Sequence, residues 1–191
     1  MAKRNKRKQN WIKETLELKE GHRWHSKPGY KVFVAGRGAV RFDVPGQWFF
    51  EPDTKSFKFL DAAPPNDNCR LEVSYNLLPA ADWSAFPLAD ILQQVVEKDE
   101  REVIGKGEII TLARQTARIV WTEIKFIDSQ ENREAYSRIC IGLGSGVQCL
   151  ITFDYWADEA DRRTPVWDEV LRTLTLGLFI RDPLTGTAFP D

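Results

Sequence analysis

Three cysteines, two histidines and one methionine in 191 residues leave little material for several kinds of chemistry. Three thiols do not build the framework of a disulfide-stapled mini-protein. His22 and His25 are the only imidazoles, so a His-based triad or acid–base pair has just these two to draw on. They form an H-x-x-H pair with no cysteine nearby and Pro28-Gly29 just after, so a zinc ion would lack two ligands. They read as solvated side chains of a basic linker. No apolar run approaches the roughly 18 residues of a membrane helix. The N-terminus lacks a signal peptide's apolar stretch. The expectation is a cytoplasmic chain with no membrane span, no metal and no cofactor.

What is present suits one globular domain. Hydrophobic residues make up 42% and charged residues 29%, and seven Trp with eleven Phe supply an aromatic core. The net charge of −1 conceals a division. Residues 1–31 hold ten Lys/Arg and three Glu, a net of +7, and the rest of the chain carries −8. Lys3, Arg4, Lys6, Arg7 and Lys8 fall within the first eight positions. Such a block repels itself and has nothing to bury, so residues 1–29 read as a basic arm and linker. The arm is a candidate contact for nucleic acid, the ribosome or another polyanion, or else a solubilising tail.

From Tyr30 the pattern is that of strands. Tyr30–Ala35 and Ala39–Val44 flank Gly36-Arg37-Gly38, a tight-turn sequence. Lys55–Leu60 follows, then a loop at Asp61–Asn68, then the clearest strand, Cys69–Leu77. There Cys69, Leu71, Val73, Tyr75 and Leu77 alternate with Arg70, Glu72, Ser74 and Asn76. Leu88, Ile91, Leu92, Val95 and Val96 then predict an amphipathic helix from Pro87 to about Glu102. Four antiparallel strands are expected at Glu108–Arg114, Ala117–Ile127, Glu134–Leu143 and Val147–Trp156. A second helix is expected from Thr164 as N-cap, with Pro165 at its first position and Gly177 beyond its end. Strands in hairpins with two interspersed helices give an α+β domain over 30–178, a twisted antiparallel sheet flanked by helices. Residues 179–191 remain as a tail.

Candidate chemistry is sparse. Gly142-Leu143-Gly144-Ser145-Gly146 lacks the third glycine and following helix of a dinucleotide loop, and Leu143 stands where a serine elbow needs glycine. It reads as a hairpin turn. A three-residue turn pairs Leu143 with Val147 and Ile141 with Cys149, which points Cys140 and Cys149 to opposite faces. Asp154, Asp158, Glu159 and Asp161 cluster beside Arg162 and Arg163. A self-paired solvated loop is one reading; a small hydrolase using Asp154 and its neighbours is the other. The mixed-charge face formed by Arg70 and Glu72 with Arg41, together with Trp48, Phe49 and Phe50 after the Pro45-Gly46 turn, is the candidate partner-binding surface.

The run Val40-Arg41-Phe42-Asp43-Val44-Pro45-Gly46-Gln47-Trp48 resembles the strand, Pro and Trp opening of the PsbP-like superfamily. Arg118–Trp121, the hairpin after it, and Trp167–Gly177 resemble its closing half. The resemblance covers roughly residues 38–178. It implies an α/β/α sandwich, the fold of the photosystem II extrinsic subunit and the Ran-binding nuclear import factor. It also implies an accessory or adaptor module that binds another protein rather than an enzyme. The resulting expectation is a cytosolic protein-binding module, with a nucleic-acid- or ribosome-associated protein using the basic arm as the alternative.

Overall fold

The computed structural model describes residues 16–17, 20–53 and 55–189. Lys3, Arg4, Lys6, Arg7 and Lys8 therefore lie outside the described residues. Strands β1 (Tyr30–Ala35) and β2 (Val40–Pro45) form a hairpin through Gly36–Gly38. Arg37 itself takes the left-handed conformation there, at φ 54°. The chain continues through β3 (Phe49–Pro52), β4 (Phe57–Leu60), β5 (Cys69–Leu77), α1 (Leu88–Glu97), β6 (Glu102–Lys106) and β7 (Ile110–Ala113). Then come the long strands β8 (Arg118–Asp128), β9 (Arg133–Gly144) and β10 (Val147–Trp156). Helix α2 (Ala160–Thr173), β11 (Thr175–Leu176), β12 (Ile180–Asp182) and β13 (Thr187–Ala188) complete it.

The main sheet runs β3-β4-β5-β10-β9-β8-β6, antiparallel at every pairing, with β7 sharing the outer edge of β8 with β6. A second sheet, β1-β2-β11, lies apart from it. Period-2 alternation sorts the side chains of the main sheet into two clusters. Leu88, Leu92 and Val96 of α1 meet Val120, Ile124, Ile139, Ile141 and Leu143. Residues one position out of step, such as Ile119, Cys140 and Ile151, join the larger cluster with Phe42 of β2 and with Trp167 and Val170 of α2. The architecture is α+β and mostly antiparallel sheet. Among the described residues no helix is long and apolar enough to cross a membrane.

Several local expectations are corrected. Helix α1 stops at Glu97, because the Asp99 carboxylate takes the Arg101 amide at 3.0 Å and its guanidinium at 2.6 Å, turning the chain into β6. Helix α2 starts four residues before Thr164, after a single 3₁₀ turn at Ala157–Glu159. Glu159 bonds Arg162 and Arg163 at i+3 and i+4, which supports that extra turn and leaves Pro165 inside the helix. Gly177 (φ 67°) follows β11 rather than capping a helix, and its amide donates to the Ala39 carbonyl.

The β9–β10 turn holds two residues, Ser145 and Gly146, both at positive φ. Val147 pairs with Gly144, Cys149 with Gly142 and Ile151 with Cys140. Cys140 and Cys149 thus share one face, both buried and free, as is Cys69. The final residues form a hairpin, β12 with β13, which docks on the segment around His22.

Candidate functional site

Helix α1 covers only the β8–β9 half of its face of the main sheet. On the β3-β4-β5-β10 half most side chains of that face reach solvent, with Leu60 of β4, 3% exposed, the exception. Here Arg70, Glu72, Ser74 and Asn76 of β5 lie opposite Asp154, Thr152, Leu150 and Gln148 of β10. Every one of these eight is exposed or half-buried, while the residues between them are mostly buried. Phe49, 45% exposed, stands at the free edge on β3. The surface is therefore mixed: a charged row at one end, with Leu150 and Phe49 as apolar points.

The charged end is fully paired. Arg70 reaches Asp154 at 3.3 Å, and Asp154 also takes Ser137 at 2.5 Å and Arg101 at 3.6 Å. Glu72 accepts from Ser56 at 2.5 Å. The Arg101 guanidinium lies 4.2 Å from the Phe126 ring centroid. Its bond to Asp99 is the largest influence holding that carboxyl below its ordinary range.

The partner-surface candidates divide. Arg70 and Glu72 sit on the open face, as their alternation implies. Arg41 does not join them. It lies on β2, where it pairs with the fully buried Asp43 at 3.0 Å and donates to the Thr173 carbonyl at the end of α2. Burial raises the Asp43 carboxyl, against the pull of Arg41. Trp48 is 5% exposed and packs on Phe153, with ring centroids 5.9 Å apart, so it is a core residue. Phe50 is half-buried against Phe33 and Phe59. Only Phe49 of the three presents its ring outward, because the chain enters edge strand β3 at Phe49, just after the bend at Trp48, and neighbours alternate.

The acidic cluster does not converge. Asp158 pairs with Arg133 at 2.6 Å, and Glu159 with Arg162 and Arg163. Arg163, buried, bridges to Asp61 at 2.6 Å. Asp154 belongs to the sheet face described above. Asp154, Asp158 and Glu159 pair with different arginines, and Glu159 shares Arg163 with Asp61 of a distant loop. Nor do the histidines meet: His25 is exposed, whereas His22 is buried beneath the C-terminal hairpin, a correction to its reading as solvated. Among the described residues no group of three metal-ligating side chains assembles.

An apolar groove of about 460 Å³ was not expected from the sequence. It opens at the turn end of β5 and β10, between Leu77–Ala81, Trp83, the Ser145-Gly146 turn and Phe179. Leu150 was missed as well. It is the one aliphatic residue in the outward set of Val147–Trp156, a break in polar alternation that was readable.

The fold and its open face can be set beside known proteins. A cyanobacterial PsbP (CyanoP) from Synechocystis sp. PCC 6803 superposes with a TM-score of 0.56 over 86% of this chain and 98% of its own, at 11% identity. The Ran-binding protein Mog1p of Saccharomyces cerevisiae does so with a TM-score of 0.51 over 78% and 95%, at 12% identity. These likenesses establish the PsbP-like fold. A protein of Nostoc sp. strain PCC 7120, the uncharacterized protein alr1449, is 68% identical over the full length of both chains. The family model of Alr1449 matches residues 31–180. With four-fifths of its length matched and that degree of identity to a Nostoc protein, the chain belongs to the Alr1449 family, whose fold is PsbP-like.

Proposed function

We propose that the chain is a non-enzymatic accessory module that binds another protein in the cytosol, through the open half of its main sheet. The scaffold reads as an α/β/α sandwich in which α2 shares its layer with the small β1-β2-β11 sheet. One observation carries the proposal: α1 leaves the β3-β4-β5-β10 half uncovered, with Phe49 and Leu150 exposed beside a row of paired charges. Paired charges around apolar points suit a protein interface, where a dry centre is rimmed by satisfied polar groups. The Mog1p likeness supports this by analogy, since that protein of shared fold is described as Ran-binding. The test is affinity capture from the source cells with wild type and with Phe49→Asp/Leu150→Asp. The expected result is a partner retained by wild type and lost by the double variant, with thermal unfolding unchanged. Undiminished capture by the double variant would refute the assignment of this face.

A further inference from the structure

The buried His22 joins two separate parts of the chain through its two ring nitrogens. Nδ1 lies 3.0 Å from the Trp24 amide, which can only donate. Nε2 lies 3.2 Å from the Pro183 carbonyl, which can only accept. The geometry therefore gives Nδ1 the acceptor role and Nε2 the donor role. Its side chain is closely enclosed: the residue is 2% exposed, and a Cβ at Gly186 would stand 2.6 Å from the ring's Cε1. The next amide, Arg23, donates to Thr185 of the same hairpin at 3.3 Å.

We propose that His22 is a proton-operated latch that holds the β12–β13 hairpin to the domain. A proton added at Nδ1 turns the acceptor used by Trp24 into a donor, so two N–H groups oppose each other at a ring that is almost wholly buried. The charged surroundings do not compensate. The titratable and charged groups on the elements about the ring are Glu20, Arg23, His25 and Lys27 on its own segment, Arg181 and Asp182 on the hairpin, Arg37 beneath the hairpin, and Arg41 under Trp24 with its partner Asp43. Cations outnumber carboxylates in that set. Asp182 is already engaged by the Leu184 amide at 2.9 Å and the Thr185 hydroxyl at 3.0 Å. The latch has a consequence at the surface, because Phe179 at the root of the hairpin forms one wall of the apolar groove. Release of the hairpin frees that wall.

The test is amide hydrogen exchange on the full chain, corrected for intrinsic rates, at about pH 8 and about pH 5, the range over which an imidazole changes charge. Protection of the Trp24 and Arg23 amides should fall by about tenfold or more at the lower pH, the effect of losing about one buried hydrogen bond, with β9 and β10 unaffected. His22→Gln should abolish that difference and His25→Gln should keep it. If His22→Gln releases the hairpin at every pH, nitrogen-15 spectra of the wild-type ring decide: an Nε2–H tautomer at pH 8 that gains its second proton together with the loss of protection supports the latch. An Nδ1–H tautomer, or protection unchanged by pH, overturns it.

Discussion

Gly142 and Cys149 face each other across the β9–β10 ladder, and the Cys149 sulfur occupies the space beside Gly142 that a side chain there would need. A Cβ at 142 would stand 2.9 Å from that sulfur and 3.0 Å from Leu176 Cδ1, and both neighbours are buried. Glycine is here a packing requirement of the layer between the main sheet and β11. Gly142→Ala should destabilise the fold by about 1–3 kcal/mol through overpacking, measured by urea unfolding. Adding Cys149→Ala should recover part of that loss. Additive costs in the double variant would mean that the sulfur is not the obstacle.

That pairing also shows where the sequence stopped being legible. Alternation located β5 and β10 to the residue, because one face of each is buried and the other wet. Strand β9 is buried on both faces from Ser137 to Leu143, so a one-residue slip exposes nothing apolar and hydrophobic matching has no purchase on the register. Turn geometry set it instead, with Ser145 in a positive-φ position usually given to Asn or Gly. The open face was half legible. Arg70 and Glu72 follow from period 2, whereas Arg41 shares their character but lies in a different sheet, a long-range fact. His22 and Arg163 were misplaced for a common reason: polar residues in polar surroundings read as solvated, yet each is enclosed by a partner more than 100 positions away.

The three cysteines should be inert in the native protein. Burial pushes the Cys69 and Cys149 thiols to about 12 and raises Cys140 well above its ordinary value. The thiolate is the reactive form, so alkylation at pH near 8 requires opening of the core. Mass spectrometry should find unmodified native chain under conditions where denatured chain takes three labels. Rapid labelling of a single site in the native state would show that one thiol is reachable.

Trp48 and Phe49 are adjacent in sequence and should differ sharply on truncation. Trp48 is packed on Phe153, so Trp48→Ala should cost about 3–5 kcal/mol of stability. Phe49→Ala removes an exposed ring and should change stability by no more than about 1 kcal/mol. Thermal and urea unfolding of the two variants measure this directly. A large loss at Phe49 would make it structural and weaken its assignment to a binding face.

Arg163 ties the start of α2 to the loop before β5, and its removal should produce a pH-dependent defect. Burial alone would raise the Asp61 carboxyl, but the Asn68 amide and the Arg163 guanidinium outweigh it and hold Asp61 below its ordinary 3.8. A carboxyl lowered in the folded state contributes stability above its unfolded value, and that contribution is lost as pH falls through the lowered folded value. Glu169, lowered chiefly by its bond to Arg172, acts in the same direction. Arg163→Met, which keeps the aliphatic stem, should therefore cost about 3 kcal/mol near neutral pH, since it leaves Asp61 and Glu159 without their shared cation. In acid, as pH falls through the lowered value of Asp61, the difference from wild type should shrink, because there is no charge left to strand. Urea unfolding of both proteins at the two pH values measures the change. A deficit of equal size at both would assign the role of Arg163 to packing of its stem, not to its ion pairs.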